Sequence, residues 1–380
     1  MNAPTTLTVV ESVLDEGRLS ALIGHPVRAA RLRIKPDVSL TVGLEDAGGS
    51  RPVGWARLLW PVSRVKADNA ARRARRRGRC TEQRELGDGM TLQVGRLAAD
   101  PALAEHVGTA VRRGLLEPDD AQVLRYNPLR RLVMRTAVGV VRITSTPQDD
   151  EILLRDFLEG RVPVPERVSL PGAEAGPPVH VSALRLVGDC DLEQASRLEA
   201  TAAAGAGLAA LHALTGRLPD EAARRLPGGR PAGRPEAAHA SVLRALAPPL
   251  AARVEALGRR LPGLTRDRRV LAHGDFTPDQ VLVRLDDDAV WLTDFDRSRL
   301  APAELDLGSC LAVVGPEAGA ALLKGYADAG GDLPDGARLR AGIAHARMAR
   351  LVEPLRHADP LWRTRIGQRL DELEETCAAH

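Results

Sequence analysis

The sequence predicts an α+β fold with two lobes around a cleft. Its 380 residues exceed one average domain length. The first half is rich in alternating or β-branched runs bounded by turn residues, whereas past residue 195 apolar residues recur at three- and four-residue spacing. The two patterns predict a strand-rich N-terminal lobe followed by a mainly helical C-terminal lobe.

Four runs in the first half are typical of strands, and an acidic segment after them is typical of a helix. The predicted strands lie within 28–46, 54–62, 91–97 and 123–144, and the first and last of these regions each carry a Lys-Pro or Asn-Pro turn. The basic run at 72–79 is interpreted as a solvated helix face or loop. A helix at 145–160 opens with acids and closes at a glycine, and prolines then impose an extended connector.

The second half is predicted to be helical at 198–214, 239–261 and 337–355. The segment 216–238 is rich in Pro, Gly and Arg and is most simply a mobile surface loop.

Composition argues against several classes of protein. The formal charge of +3 at pH 7 is nearly balanced, and only 2% of residues are aromatic, so nucleic-acid and membrane partners are disfavoured. The four cysteines form no Cys-x-x-Cys pair, which argues against a disulfide framework or a zinc site. No run of about 18 uncharged apolar residues occurs. We therefore expect a cytoplasmic protein.

Two acidic clusters lie close together in the C-terminal half, in "HGDFTPDQVLV" (273–283) and "TDFD" (293–296). The surrounding pattern indicates strand, polar loop, strand, turn and strand, so both clusters lie at the open ends of one small sheet. A carboxylate beside a histidine can accept a proton from a hydroxyl, and a second carboxylate can hold a divalent cation. These are the groups that phosphoryl transfer requires.

The same residues resemble the aminoglycoside phosphotransferase family, whose members are relatives of the protein kinases. The two clusters, followed by "APAELDLGS" (301–309), look like that family's catalytic loop, metal-binding acid and stabilising Asp. Its other helices are similar to "LAALHAL" (208–214) and "LLKGYADAGG" (322–331). The resemblance covers about residues 123–355 and implies a two-lobed protein-kinase-like fold that uses ATP and Mg²⁺.

The resemblance also implies roles for individual residues of the catalytic region. Asp275 would be the catalytic base, and His273 would brace its loop. Asp294 would hold magnesium across the phosphates, and Asp306 would fix the C-terminal lobe. The alternatives are a buried polar pair of Asp275 with His273 and a capping role for Asp294. His212 is interpreted as a packing and hydrogen-bonding helix residue.

In the N-terminal lobe, the resemblance implies a phosphate-binding pair and a hinge. Arg142 falls at the position of the strand lysine that pairs with phosphate, and Glu151 at that of its helix partner, although a surface pairing of the two stays an alternative. The segment 179–192 would be the adenine-binding hinge. Its hydrogen bonds would come from backbone groups near Ser182, Ala183 and Leu184.

The sequence departs from the family pattern at two positions. Gln280 replaces the metal-binding Asn of the loop, with the same type of ligand on a stem one carbon longer. Arg142 replaces the strand Lys, which keeps the charge but not the geometry.

Three regions and one leading function follow from this comparison. We expect an additional α/β subdomain at 1–115, a kinase-like N-lobe and hinge at 116–190, and a helical C-lobe with the catalytic loop at 191–380. The leading function is transfer of the γ-phosphoryl group of ATP to a hydroxyl of a small molecule such as a sugar, antibiotic or other natural-product alcohol. The abundant Arg of the C-lobe disfavours polycationic aminoglycosides.

Two alternatives stay open. One is a Ser/Thr kinase of a ribosomal peptide that acts with a lyase partner in lanthipeptide- or thioamitide-type maturation. The other is a nucleotide-binding pseudokinase scaffold, which the two departures favour and the retention of both Asp275 and Asp294 opposes.

Overall fold

The structure is a computed structural model that describes residues 4–49, 51–65, 68, 72, 81–117, 120–168, 179–226, 235–265 and 268–378. Of the basic run at 72–79, all but the first residue lies outside these ranges. The described residues form four sheets and a set of α-helices, and among them no helix is both long and apolar enough to cross a bilayer.

The strands follow one another along the chain in four groups. They are β1 (Val27–Lys35), β2 (Ser39–Asp46), β3 (Pro52–Leu59), β4 (Glu82–Glu85), β5 (Thr91–Arg96), β6 (Gln122–Asn127), β7 (Arg131–Thr136), β8 (Gly139–Thr144), β9 (Val181–Leu184), β10 (Cys190–Asp191), β11 (Val270–Ala272), β12 (Val281–Val283), β13 (Val290–Leu292) and β14 (Arg299–Ala301).

The helices are concentrated in the C-terminal half. They are α1 (Thr6–Leu14), α2 (Glu16–Ile23), α3 (Ala104–Arg112), α4 (Asp149–Leu158), α5 (Leu192–Ala195), α6 (Leu198–Ala213), α7 (Asp220–Arg225), α8 (Pro235–Leu246), α9 (Pro248–Arg260), α10 (Ala303–Leu311), α11 (Pro316–Asp328), α12 (Gly336–Arg350), α13 (Glu353–Arg356) and α14 (Trp362–Ala378).

All strand pairings are antiparallel among the described residues. An N-terminal sheet has the order β1-β2-β3-β5-β4, and a second sheet runs β6-β7-β8-β9. Two small sheets, β10-β12-β13 and β11-β14, carry the acidic loops of the C-terminal half. The strand-rich first half and the helical second half are therefore confirmed, as are the hairpins at the Lys-Pro and Asn-Pro turns.

Two local predictions for the C-terminal half are wrong. The single helix expected at 239–261 is divided into α8 and α9, because Ala247 has φ −155° and precedes two prolines. Proline disfavours the helical conformation of the residue before it and cannot donate a backbone hydrogen bond. The segment 216–238, expected to be a loop, forms α7 and the start of α8, and its residues 227–234 lie outside the described ranges.

The N-terminal sheet shares one hydrophobic core with the C-terminal helices. Leu40 and Val10 lie in the same buried cluster as Leu243, Met348 and Trp362, all with almost no exposure. A second core surrounds α6, and a third lies between β6–β9 and α3. The division into a subdomain at 1–115, a lobe at 116–190 and a lobe at 191–380 stays a prediction, but the sheet of the first region packs directly on the last.

Helices α6 and α11 touch backbone to backbone through two glycines. A Cβ atom on Gly205 would lie 2.2 Å from the carbonyl oxygen of Leu322, and one on Gly325 would lie 1.9 Å from that of Ala202. No other residue fits at this separation. The close approach brings His212 of α6 within hydrogen-bonding distance of Tyr326 of α11.

Truncation of Trp362 tests whether the N-terminal sheet and C-terminal helices unfold together. Because this side chain is fully buried in the shared core, Trp362→Ala is expected to lower the free energy of unfolding by about 3–5 kcal/mol. The matched control is Leu361→Ala, whose side chain is 60% exposed. Urea unfolding followed by circular dichroism compares the two. Equal midpoints, or a separate transition for the N-terminal sheet, would contradict the shared core.

Candidate active site

The loop after β11 is held by one buried carboxylate. Asp306, at the start of α10, accepts hydrogen bonds from the backbone N–H groups of His273 (2.7 Å) and Gly274 (2.8 Å). Gly274 has φ +83°, and a Cβ there would lie 2.1 Å from the carbonyl oxygen of Arg297. Only glycine meets both requirements, so the backbone at 273–274 is fixed in one conformation.

Asp306 is itself held by a hydrogen-bond chain through the C-terminal lobe. It is fully buried, and its third partner is the Nε2 atom of His212 at 3.1 Å. The Nδ1 atom of His212 lies 2.9 Å from the hydroxyl of Tyr326. Burial opposes ionisation of Asp306, but the hydrogen bond from His212 and the backbone N–H groups keep its pKa below the usual range. The interpretation of His212 as a packing and hydrogen-bonding residue is confirmed.

His273 connects the catalytic loop to the second acidic cluster. Its side chain is fully buried, its Nε2 atom lies 2.7 Å from the carbonyl oxygen of Thr293, and its ring lies 4.7 Å from that of Phe295. Its position therefore suits the bracing role expected of it, because it fixes the backbone on either side of Asp294.

Asp275 faces the cleft between the lobes. One of its carboxylate oxygens lies 3.1 Å from the Nη1 atom of Arg297, and 32% of its side chain is exposed. Burial raises the pKa of Asp275; Arg297 and His273 oppose this, and Asp294 adds to it. A carboxylate that is partly desolvated and reaches an open cleft is a suitable proton acceptor.

Asp294 lines the same cavity and has a left-handed conformation, with φ +61°. Arg131 donates a hydrogen bond of 2.8 Å to its carboxylate and one of 3.1 Å to Asp296. Burial opposes ionisation, yet the charges of Arg131 and Arg142 keep the pKa of Asp294 well below its usual range. Asp294 is therefore an anion at neutral pH.

The structure brings Arg142 and Glu151 together. The Nη1 atom of Arg142 donates to both carboxylate oxygens of Glu151, at 2.6 and 2.7 Å, and its Nη2 atom contacts Asp296. Burial lowers the pKa of Arg142, but the charges of Glu151 and Asp296 outweigh this and raise it. Arg155 supports the pair from the next helical turn, 3.2 Å from Glu151. The pair is buried, so it is not a pairing on the outer surface.

Gln280 is near these groups, but its amide nitrogen is turned toward Asp279. That nitrogen donates to the Asp279 carboxylate at 2.6 Å, and the backbone carbonyl of Gln280 accepts from the N–H of Thr293 at 2.9 Å. The residue does not line the cavity that Asp275 and Asp294 share. A role in holding metal stays a prediction.

The strand β9 contains Ser182, Ala183 and Leu184, and many of its backbone groups are hydrogen-bonded to neighbouring segments. It pairs with β8, and the carbonyl of Ala183 also accepts from the N–H of Val168 at 2.9 Å. The hydroxyl of Ser182 donates to Gln148 at 2.9 Å. Adenine contact at these three residues stays a prediction.

One cavity of about 920 Å³ joins the acidic and basic groups, and both Asp275 and Asp294 line it. Sequence reasoning did not single out Arg131, Asp296 or Arg297, which pair with the predicted residues here. Asp296 was visible in the "TDFD" cluster. The two arginines had no distinguishing local signal, because 50 of the 53 basic residues are Arg.

Comparison with known proteins agrees with this arrangement. The sequence model of the phosphotransferase enzyme family (APH) matches residues 124–341. No curated protein matches the chain. Solved structures with a similar fold include a GDP complex of an aminoglycoside 2'-phosphotransferase-IIIa mutant, with a TM-score of 0.52 and 19% identity, covering 72% of this chain and 97% of that one.

Two further structures have a TM-score of 0.51. The GDP and kanamycin complex of APH(2")-IIIa is 19% identical and covers 73% of this chain and 99% of that one. A choline/ethanolamine kinase family protein from Mesorhizobium loti is 15% identical and covers 71% and 94%. These likenesses confirm the two-lobed protein-kinase-like fold.

The ionisation of Asp306 gives the stability of the protein a defined dependence on pH. Its folded-state pKa is depressed, so its stabilising contribution is complete above the unfolded pKa of about 3.9 and is lost as pH falls through the lower folded value. Asp306→Asn should be less stable at pH 7 and should lose less on acidification than the parent. The control is Asp328→Asn, at an exposed Asp–Lys pair. Parallel curves of parent and Asp306→Asn in urea unfolding from pH 7 to pH 3 would contradict the assignment.

Proposed function

This chain belongs to the phosphotransferase enzyme family, and we propose that it is an ATP-dependent O-phosphotransferase that transfers the γ-phosphoryl group of ATP to a hydroxyl of a small molecule. The observation that carries this proposal is that Asp275, Asp294 and the Arg142–Glu151 pair all line one cavity. A proton acceptor and phosphate-binding groups thus share one enclosed space, as phosphoryl transfer requires.

Asp275 is proposed to accept the proton of the acceptor hydroxyl. As that proton moves to the Asp275 carboxylate, the hydroxyl oxygen forms a bond to the γ-phosphorus, and the bond from phosphorus to the β,γ-bridging oxygen breaks. ADP leaves with the bridging oxygen, and the proton later passes from Asp275 to solvent. Partial desolvation of Asp275 raises its pKa toward that of a useful base.

Arg142 is proposed to position the phosphates. Its guanidinium lies against Glu151 through one nitrogen and against Asp296 through the other, so its orientation is fixed before a nucleotide binds. A guanidinium can bind phosphate oxygens in a bidentate manner, which makes Arg a workable replacement for Lys at this position. Fixed orientation limits the reorganisation needed during the reaction.

The groups present fit a magnesium ion held mainly by phosphate oxygens. Magnesium in phosphotransferase sites is bound through one or two carboxylates together with substrate phosphates. Asp294 is ionised and lines the cavity, and Gln280 lies on the neighbouring loop with an amide oxygen of the required type. When bound, the ion would neutralise charge that develops on the phosphates. Arg131, which pairs with Asp294 here, would shift toward the phosphates.

Retention of both acids opposes the pseudokinase alternative. Nucleotide binding alone does not require a desolvated carboxylate beside the groups proposed to bind phosphate, whereas Asp275 is partly desolvated and lines the same cavity as Asp294.

Nucleotide and metal binding can be separated by changing Asp294. ATP with Mg²⁺ is expected to raise the melting temperature, because a ligand selective for the native state stabilises it. Asp294→Asn should abolish the increment that Mg²⁺ adds over ATP alone. Asp286→Asn, at an exposed turn, is the matched control. If millimolar ATP and Mg²⁺ leave the melting temperature of the parent unchanged, the proposed function is contradicted.

Removal of Asp275 distinguishes an enzyme from a scaffold. Asp275→Ala should lower turnover by roughly 10²- to 10⁴-fold while ATP still binds, since a general base contributes about that much. Phosphate release by slow hydrolysis of ATP serves as the readout before an acceptor is known. Asp286→Ala is the control for loss of one carboxylate. Equal rates of phosphate release in parent and Asp275→Ala would show that Asp275 is structural.

A further inference from the structure

The catalytic cavity extends away from Asp275 to the N-terminal sheet. Its lining includes Arg31 and Arg33 of β1 and Arg356 of α13. Arg31 and Arg356 lie outside residues 124–341, the part of the chain that matches the phosphotransferase family. This part of the lining is therefore built by elements that are additional to the shared catalytic region.

The arginines of the cavity divide into two groups. Three of them neutralise the catalytic acids by ion pairs: Arg131, Arg142 and Arg297. The others line the same cavity and form no ion pair with a carboxylate among the described residues. They are Arg31, Arg33, Arg125, Arg130 and Arg356.

In the free protein, the positive charges of this second group are destabilised by burial and by one another. Burial, together with the nearby charges of Arg125, Arg131 and Arg356, lowers the pKa of Arg31 to about 10, although the charge of Glu353 opposes this. Burial likewise lowers the pKa of Arg356, and the charges of Arg297 and Arg130 add to this. Like charges gathered in an enclosed space repel one another, and a bound anion would relieve that repulsion.

The guanidinium of Arg31 is also oriented. Its Nη1 atom lies 3.3 Å from the Nε2 atom of His357. Burial and the charge of Arg31 lower the pKa of His357, so the imidazole is neutral at pH 7 and can accept this hydrogen bond. The remaining donors of Arg31 are left for a ligand, and a guanidinium binds carboxylate or phosphate in a bidentate manner.

We propose that the phosphoryl acceptor is a small alcohol that already carries a phosphate or carboxylate group, and that Arg31, Arg125 and Arg356 bind this group. This inference rests on the proposed function, because it names the substrate class of the same site. The acceptor hydroxyl would face Asp275 while its anionic group lies against β1 and α13. Polycationic acceptors would be repelled by the same arginines.

Arg31 and Arg356 lie on different elements from the residues that are proposed to position the γ-phosphate. The phosphate-positioning residues of the proposed reaction, Arg142 and Asp294, lie on the N-lobe and the metal-binding loop. Arg31 and Arg356 are on elements that pack together through the shared N-terminal and C-terminal core. An anion that binds while the nucleotide site is full would therefore identify a separate acceptor site.

The test uses the full chain saturated with AMP-PNP and Mg²⁺, whose binding is measured first by isothermal titration calorimetry. Inorganic phosphate, succinate and kanamycin are then titrated as an inorganic anion, a dicarboxylate and a polycation. We expect phosphate or succinate to bind and kanamycin not to bind. The tighter of the two anions indicates whether the acceptor carries phosphate or carboxylate.

Substitution of two cavity arginines tests where the anion binds. Arg31→Gln and Arg356→Gln should each weaken anion binding about tenfold or more, since each removes a charged hydrogen-bond donor. Arg244→Gln, at an exposed pair with Glu255, removes the same charge elsewhere and should leave anion affinity unchanged. Arg356 is not part of the hydrophobic core, so its variant keeps the test valid if Arg31→Gln fails to fold.

Two results would overturn this inference. The first is no anion binding by a parent protein that binds AMP-PNP normally, or binding of kanamycin in preference to both anions. The second is equal anion affinity in the parent and both cavity variants. Failure of the parent to bind AMP-PNP would instead count against the proposed phosphotransferase reaction, so the two failures are distinguishable.

Discussion

The site depends on one buried carboxylate, that of Asp306. A buried anion is tolerated only where donors surround it, and here they are two backbone N–H groups of the catalytic loop and the imidazole of His212. The imidazole of His273 in turn lies within hydrogen-bonding distance of the carbonyl of Thr293, the residue that precedes Asp294. The positions of Asp275 and Asp294 therefore depend on a single desolvated charge and the helices that enclose it.

A second constraint is the neutralisation of the acidic side chains of the cleft by arginine. Asp294, Asp296 and Glu151 are held by Arg131 and Arg142, which form a continuous ion-pair network across the cleft. Nucleotide phosphates would compete with these acids for the same guanidinium groups, and a divalent cation would take over the role of the guanidinium at Asp294. Binding of nucleotide and metal is thus expected to redistribute existing pairs rather than to fill an uncharged site.

The N-terminal sheet also contributes residues to the lining of the cleft. Because its apolar face is buried against α8, α12 and α14 in one core, Arg31 and Arg33 occupy fixed positions in the cavity that Asp275 and Asp294 also line. The arrangement explains how a chain can keep several unpaired arginines close together, since the cost of their repulsion is offset by burial of the large apolar core behind them.

The sequence determined the features that are local in the chain. The order of strands and helices and the loops bearing Asp275 and Asp294 depend on short-range patterns, whereas the pairing of Arg142 with Glu151 was implied by the resemblance to the phosphotransferase family. The apolar spacing alone predicted one continuous helix across Ala247, and only the two prolines that follow indicate that the helix is divided there. Only the tertiary structure decided which arginines face the acids and that Arg31 and Arg356 share one cavity. Their meeting depends on packing between distant segments, and in so Arg-rich a chain no local pattern distinguishes the few arginines that packing brings into the cleft.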